Sequence, residues 1–260
     1  MNILDKIVER KKIEVAERKT QKSIEDLKQM PLFERTTFSI TAFLNDPERT
    51  GIIAEFKRQS PSKGIINGTA DVATVTGAYS MHASGVSVLT DLDFFGGEPS
   101  DLLAARVHTI PILRKDFMID PYQVYEAKAM GADVILLIAA CLTKEEVKSL
   151  AGLAKSLGLE ILLEIHDESE LGHICDEVDL VGVNNRNLKT FEVSIQTSLN
   201  LINKIPSNKL AIAESGISDV NTIVTLRNAG FKGFLIGENF MKEADPSIAF
   251  ADFVNQLKAK

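Results

Sequence analysis

Two cysteines in 260 residues, Cys141 and Cys175, are too few and too far apart for a disulfide scaffold or a metal-ligand cluster. They read as free thiols in a reducing compartment, so a cytoplasmic setting is expected. Long apolar runs are missing as well. The longest, Val134 to Leu142, has nine residues, against roughly 18 needed to cross a bilayer. The opening stretch, MNILDKIVERKKIE, is charged throughout and lacks the apolar segment of a signal peptide. Positive charge is in deficit: 29 Lys and Arg face 36 Asp and Glu, for a net charge of −7. That balance disfavours sequence-independent nucleic-acid binding, which needs a basic surface. A small anion held by a local field remains compatible with it. No Pro/Gly/Ser linker, low-complexity tract or Gly-x-Gly-x-x-Gly after the first strand occurs, so nothing points to a dinucleotide.

What the chain does have is the make-up of a soluble globular protein, 45% hydrophobic and 25% charged. Its length suffices for a large core without metal or disulfide. Eight short β-rich runs recur along it: 51–57, 85–91, 110–116, 132–140, 159–165, 178–185, 209–215 and 232–238. They are apolar on both parities, as in strands of a parallel sheet covered on both faces. Segments with helical patterning or start signals follow them, among them Pro121–Met130, Thr143–Leu157 and Ser218–Ala229. Gly85, Gly131, Gly158 and Gly230 stand where left-handed glycines end helices. Thr143 and Ser218-Asp219 stand where N-caps begin them.

Eight such units predict an α/β fold, a closed (β/α)8 barrel over residues 51–260. An open doubly wound sheet is the alternative. Residues 1–50 precede the first strand. Ile3, Leu4, Ile7 and Val8 form an apolar helical stripe there, and Ser23-x-x-Asp26 opens a second helix. The expectation is one domain, 1–260, with an N-terminal helical extension packed on the barrel.

The active site of such a barrel lies at the C-terminal ends of its strands. Side-chain alternation puts Glu55 and Lys57 on the side of Ile53, Lys115 on that of Leu113 and Glu164 on that of Leu162. It likewise puts Glu214 with Ile212 and Asn184 with Gly182. Any one of these reads as a solvated strand-end charge. Five strands carrying charged or polar residues at one level do not, because buried charges need partners or a task. Ser215-Gly216 and Gly237 close the seventh and eighth strands, where backbone amides commonly cradle phosphate. Phe95, Phe117, Leu136 and Phe191 fall near the same mouth, as packing residues or as the lining of an aromatic-ring pocket. The polar loop 58–68 has the make-up of a lid. The four histidines are expected to carry little: His82 and His108 in helical segments, His166 and His173 around the fifth helix, none at a strand end.

Beyond these local readings, IAEFKRQSPSKG (53–64), PILRKDF (111–117), LLEIHD (162–167), VGVNNRNLKTF (181–191), AESGIS (213–218) and FLIGENFM (234–241) resemble indole-3-glycerol phosphate synthases, in one register along the chain. The resemblance implies closure of an indole ring in tryptophan biosynthesis. In that reaction 1-(2-carboxyphenylamino)-1-deoxyribulose 5-phosphate gives indole-3-glycerol phosphate, carbon dioxide and water, with no cofactor or metal. It implies Lys115 as general acid and Glu164 as general base, with Lys57 on the substrate carboxylate. Glu55 and Asn184 would orient the reacting hydroxyls and the lysines, with Glu214 near the same centre. Ser60 and Arg186 would contact the anionic ends, and Ser215, Gly216, Gly237 and the Glu238 amide would bind phosphate. Phe95, Phe117, Leu136 and Phe191 would pack on the anthranilate ring. The implied partner is a small anionic substrate, with no nucleic acid or membrane, and a monomer or weak homo-oligomer. A Schiff-base aldolase using Lys115 and a non-catalytic sugar-phosphate-binding barrel are the competing readings.

Overall fold

The computed structural model describes residues 3–188 and 190–260. Met1 and Asn2 of the charged opening stretch, and Lys189 of the VGVNNRNLKTF motif, lie outside the described residues. Eight strands form a closed parallel barrel: β1 (Ile52–Phe56), β2 (Gly85–Leu89), β3 (Ile112–Lys115), β4 (Val134–Ile138), β5 (Glu160–Ile165), β6 (Leu180–Asn184), β7 (Leu210–Glu214) and β8 (Gly233–Ile236). Chain neighbours are sheet neighbours, and β8 closes the ring by pairing Phe234 with Ile52. All eight lie within the apolar runs of the sequence. The open sheet is therefore excluded.

Side-chain parity divides the core in two. Outward residues such as Ile52, Ala54, Val86 and Ile112 pack beneath the helices. Inward residues Ile53, Leu113, Val134, Leu136, Leu162, Leu180, Ile212 and Leu235 fill the barrel. That inner set holds the polar strand ends above it at one height.

Local signals start the helices. Thr143 and Glu146 form a capping box on α8 (Lys144–Ser156), counting helices from α1 (Ile3–Gln21), α2 (Ile24–Lys28), α3 (Ile40–Asn45), α4 (Val72–Ser80), α5 (Leu92–Phe95), α6 (Pro99–Ala105) and α7 (Pro121–Ala129). Ser23 and Asp26 make the same box on α2. Beyond α9 (Gln196–Leu201), Asp219 caps α10 (Val220–Ala229), ahead of α11 (Glu238–Met241) and α12 (Pro246–Lys258).

Three expectations need correction. Gly131, Gly158 and Gly230 take positive φ, but Gly85 does not. A Cβ on Gly85 would come within 2.9 Å of Ile40 Cδ1, so close approach explains this glycine. The fifth strand is followed only by a 3-10 turn, Glu168–His173, where a helix was expected. His82 and His108 lie just past α4 and α6 rather than within them.

The extension reaches both ends of the barrel. Ile40 and Leu44 of α3 join the inner core at the N-terminal end of the strands and plug it. At the opposite end Ile3, Leu4 and Ile7 of α1 line the cavity over the mouth. Three of the four stripe residues of α1 thus face that mouth, while Val8 lines a cleft beside Cys141.

Candidate active site

The strand ends bring together every charged residue that parity placed there. Glu55, Glu164 and Glu214 are 4, 3 and 2% exposed, so each needs a partner or a shifted protonation state. Lys57 Nζ lies 2.8 Å from Glu55 Oε1. Lys115 Nζ lies 3.4 Å from Glu164 Oε2 and 3.9 Å from Glu214 Oε2. Asn184 donates its amide to Glu164 Oε1 at 3.0 Å and accepts the Arg186 backbone N–H at 3.0 Å.

The carboxyls are driven apart. Burial pushes Glu164 upward, but Lys115, His166 and Asn184 outweigh it and hold this group well below the usual carboxylate range. Burial pushes Glu214 upward too, and the charge of Glu164 adds to the rise, against the pull of Lys115. Glu214 Oε1 has no hydrogen-bond partner among the described residues. Burial penalises the Lys115 ammonium, yet Glu164, Glu214 and Glu55 keep it protonated above its ordinary range. Burial of Glu55 is likewise overcome by Lys57 and Lys115, which keep it ionised. Two ionised carboxylates, one neutral-leaning carboxyl and the Lys115 ammonium thus meet at a single centre.

A cavity of about 150 Å³ opens onto this centre. Phe95, Phe117, Leu136 and Phe191 all line it, and the Phe95 and Phe117 ring centroids are 5.9 Å apart. Ser60 lines it as well, its hydroxyl without a hydrogen-bond partner among the described residues. An adjoining cavity of about 370 Å³ shares Glu55, Lys57, Arg186 and Phe191 and is walled by Ser215, Gly216, Gly237 and Glu238. Ser215 and Gly216 have φ of 64° and 74°. Gly237 precedes α11, so the Glu238 amide opens a helix there. The Glu238 side chain faces cations, 3.5 Å from Arg186 and 3.7 Å from Lys63.

A hydrophobic half-cavity, a polar centre and a glycine-lined annex fit a substrate with an aromatic ring, a reacting middle and a phosphate. A sequence profile of the indole-3-glycerol phosphate synthases matches residues 4–253. The chain belongs to that family.

Relatives bearing the same name include a protein of Bacteroides thetaiotaomicron, 44% identical over 259 residues with 99% of each chain covered. Another, from a Polaromonas species, is 44% identical over 257 residues, covering 96% of this chain and 97% of that one. Among solved structures, a chain of the tryptophan synthase a2b2 complex of Pyrococcus furiosus superposes with a TM-score of 0.61. It is 17% identical and covers 82% of this chain and 99% of its own, which speaks to the barrel fold alone. As an indole-3-glycerol phosphate synthase family member, the chain is a carboxy-lyase of tryptophan biosynthesis acting on a small anionic, phosphate-bearing substrate.

Three features of this synthase site escaped the sequence reading. His166 directly follows β5 and sits 3.1 Å from Glu164 Oε1, so a histidine does occupy a strand end. The histidine of E-I-H directly after a strand was the available signal. Gly182 makes room for a carboxylate: a Cβ there would lie 2.0 Å from Glu214 Oε1. Lys11 of α1, wholly buried, contacts Asp91 and Asp116 beside the catalytic mouth. Nothing in the charged run ERKKIE singles it out.

Proposed function

We propose that this mouth closes the indole ring of 1-(2-carboxyphenylamino)-1-deoxyribulose 5-phosphate, with Lys115 as general acid and Glu164 as general base. The observation carrying the proposal is the contact of 3.4 Å between an ammonium held protonated and a carboxylate held ionised. In the first step the ring carbon attacks the ribulose C2 carbonyl and charge develops on oxygen. Lys115 supplies a proton there. Loss of carbon dioxide restores the electron pair to the ring system. Dehydration then needs a proton on the departing hydroxyl, which leaves as water, and removal of a proton from the adjacent carbon bonded to nitrogen, which a neighbouring acid and base can divide.

Lys57, paired with Glu55 and bordering both cavities, is placed to receive the substrate carboxylate and to share the acid role in dehydration. Asn184 and Glu214 orient the reacting groups. Ser60 and Arg186 are candidate contacts for the anionic ends. Ser215, Gly216, Gly237 and the Glu238 amide form the phosphate annex, and the four apolar side chains hold the anthranilate ring. We read residues 1–260 as one functional unit acting in the cytoplasm as a monomer or weak homo-oligomer. Among the described residues no helix is long and apolar enough to cross a membrane.

The test is turnover of the carboxyphenylamino ribulose phosphate, followed by indole fluorescence. Lys115→Ala and Glu164→Gln should each lose about 10²–10⁴-fold in kcat while staying folded. Near-normal turnover by either would overturn its assigned role.

A further inference from the structure

Among the described residues, His166 is the one ionisable side chain in contact with the proposed base to which the reaction has assigned no task. Its Nε2 lies 3.1 Å from Glu164 Oε1, and its Nδ1 lies 3.2 Å from Glu170 Oε2. Glu170 also accepts the backbone N–H of His166 at 2.7 Å. The 3-10 turn that replaces a fifth helix therefore folds back to clamp the ring. The side chain is 11% exposed. Nδ1 makes a hydrogen bond, while Nε2 meets Glu164 at ion-pair distance without hydrogen-bond geometry; a carboxylate beside each nitrogen favours the doubly protonated ring.

Glu164 is correspondingly divided between its two edges. Oε1 faces His166 and the Asn184 amide, while Oε2 faces Lys115. We propose that His166 is a positioning residue: as an imidazolium braced by Glu170, it pins the Oε1 edge of Glu164 and leaves Oε2 to meet Lys115 and the substrate. This rests on the reading of Glu164 as general base and assigns it a partner for orientation and charge.

The surroundings favour the cation. Glu164 faces it from β5, Glu170 and Asp167 from the turn, and Glu214 from β7. The Cys141 thiol lies across Glu164 and Glu170, burial holding it neutral. His173, in the same turn, is occupied by the backbone carbonyls of Glu170 and Leu142. Lys115 is the nearby cation, on the far side of Glu164. Burial alone would depress His166, but its contacts with Glu164 and Glu170 push it up to about 10. With His166 charged, Lys57, Lys115 and His166 face Glu55, Glu164 and Glu214. Glu170 adds a fourth carboxylate, and the imidazolium offsets its charge.

The test uses the full chain and the variants His166→Gln, His166→Asn and Glu170→Gln. Removing the imidazolium should lower kcat about 10–100-fold, as expected for a small misplacement of a reacting group, with KM nearly unchanged. The acidic limb of the kcat profile should move to higher pH, because Glu164 loses a cation that favours its ionised form. Glu170→Gln should move that limb in the same direction by less. In nitrogen-15 NMR of the wild type, the His166 ring should stay doubly protonated through pH 8. The Glu170→Gln variant should lower its titration midpoint.

A ring titrating near the ordinary histidine value would overturn the proposal whatever the kinetics. So would an unmoved acidic limb in the histidine variants beside an inactive Glu164→Gln, an outcome that spares the base assignment. Active Glu164→Gln would instead overturn the base assignment and the positioning role with it. If His166→Gln does not fold, His166→Asn and Glu170→Gln carry the same tests.

Discussion

Lys11 Nζ lies 2.9 Å from Asp116 Oδ1, and neither side chain is exposed. The same ammonium contacts Asp91 at 2.9 Å and Glu14 at 2.7 Å. Asp116 adjoins Lys115 and is also held by Arg114 at 2.9 Å and Thr90 at 2.8 Å. One lysine thereby ties the extension to the ends of β2 and β3, directly beside the proposed acid.

Lys11→Met should destabilise the protein by about 3–5 kcal/mol, since it strips buried carboxylates of their counter-charge. Urea unfolding reads this. KM should rise as well, because α1 supplies Ile3, Leu4 and Ile7 to the cavity. The pH dependence has a definite sign. Burial pushes Asp116 up, but Arg114 and Lys11 pull it far below the usual range. Its stabilisation is complete above about 3.9, the unfolded-chain value, and is lost as pH falls through the native value. In Lys11→Met the native value rises, so acid unfolding should begin at higher pH. A variant with unchanged midpoint and unchanged KM would show that the tie is dispensable.

Gly182→Ala isolates Glu214. The added methyl would sit 2.0 Å from Glu214 Oε1 and 3.1 Å from its Cδ. The carboxyl is the mobile end of a side chain, so it should swing away while the barrel stays closed. The expected outcome is a kcat loss of about 10²-fold, the usual effect of misplacing a reacting group by about 1 Å. Circular dichroism should be unaltered. Full activity would remove Glu214 from the reacting centre.

How far the sequence was legible follows from these residues. The strands could be located because burial on both faces makes them continuous apolar runs. Their parity then carried Glu55, Lys115, Glu164, Asn184 and Glu214 to one mouth. Lys11 was invisible because the run ERKKIE resembles a solvated helix face, and two of its three carboxylate partners come from distant strand ends. His166 was misjudged because its second carboxylate, Glu170, reaches it only through a turn where a helix was expected. Gly85 and Gly182 carried no mark separating close approach from turn chemistry. The plug formed by α3 depends on Ile40 and Leu44, whose target is set by tertiary packing.

The annex can be probed through its backbone. Gly216 has φ of 74°, and a Cβ there would lie 2.4 Å from Val193 Cγ1. Gly216→Ala therefore strains a left-handed position by about 1–3 kcal/mol. If these amides bind phosphate, KM should rise about tenfold, since 1.4 kcal/mol is a factor of ten, while kcat changes little. Inorganic phosphate should then inhibit the variant more weakly than the wild type. A kcat defect with unchanged KM would place Gly216 with the reacting centre instead.

The loop after β1 is anchored at its base and exposed at its tip. Arg58 holds Asp101 with two hydrogen bonds of 2.5 and 2.8 Å, and its carbonyl accepts the N–H groups of Ile66 and Asn67. Between these anchors Gln59–Ser60 pairs with Gly64–Ile65 as a short hairpin, and Ile65 is 76% exposed. Lys63 reaches toward Glu238 at the annex, and Ser60 to Ser62 line the main cavity. A ligand filling both cavities gives the hairpin new contacts on its inner side, so it should close over them. Trypsin should therefore cut after Lys63 readily in the free protein and several-fold more slowly at saturating indole-3-glycerol phosphate. Cleavage at exposed lysines away from both cavities, such as Lys12 and Lys204, should keep its rate. Equal cutting at Lys63 with and without the ligand would leave residues 58–68 as a fixed rim of the mouth rather than its lid.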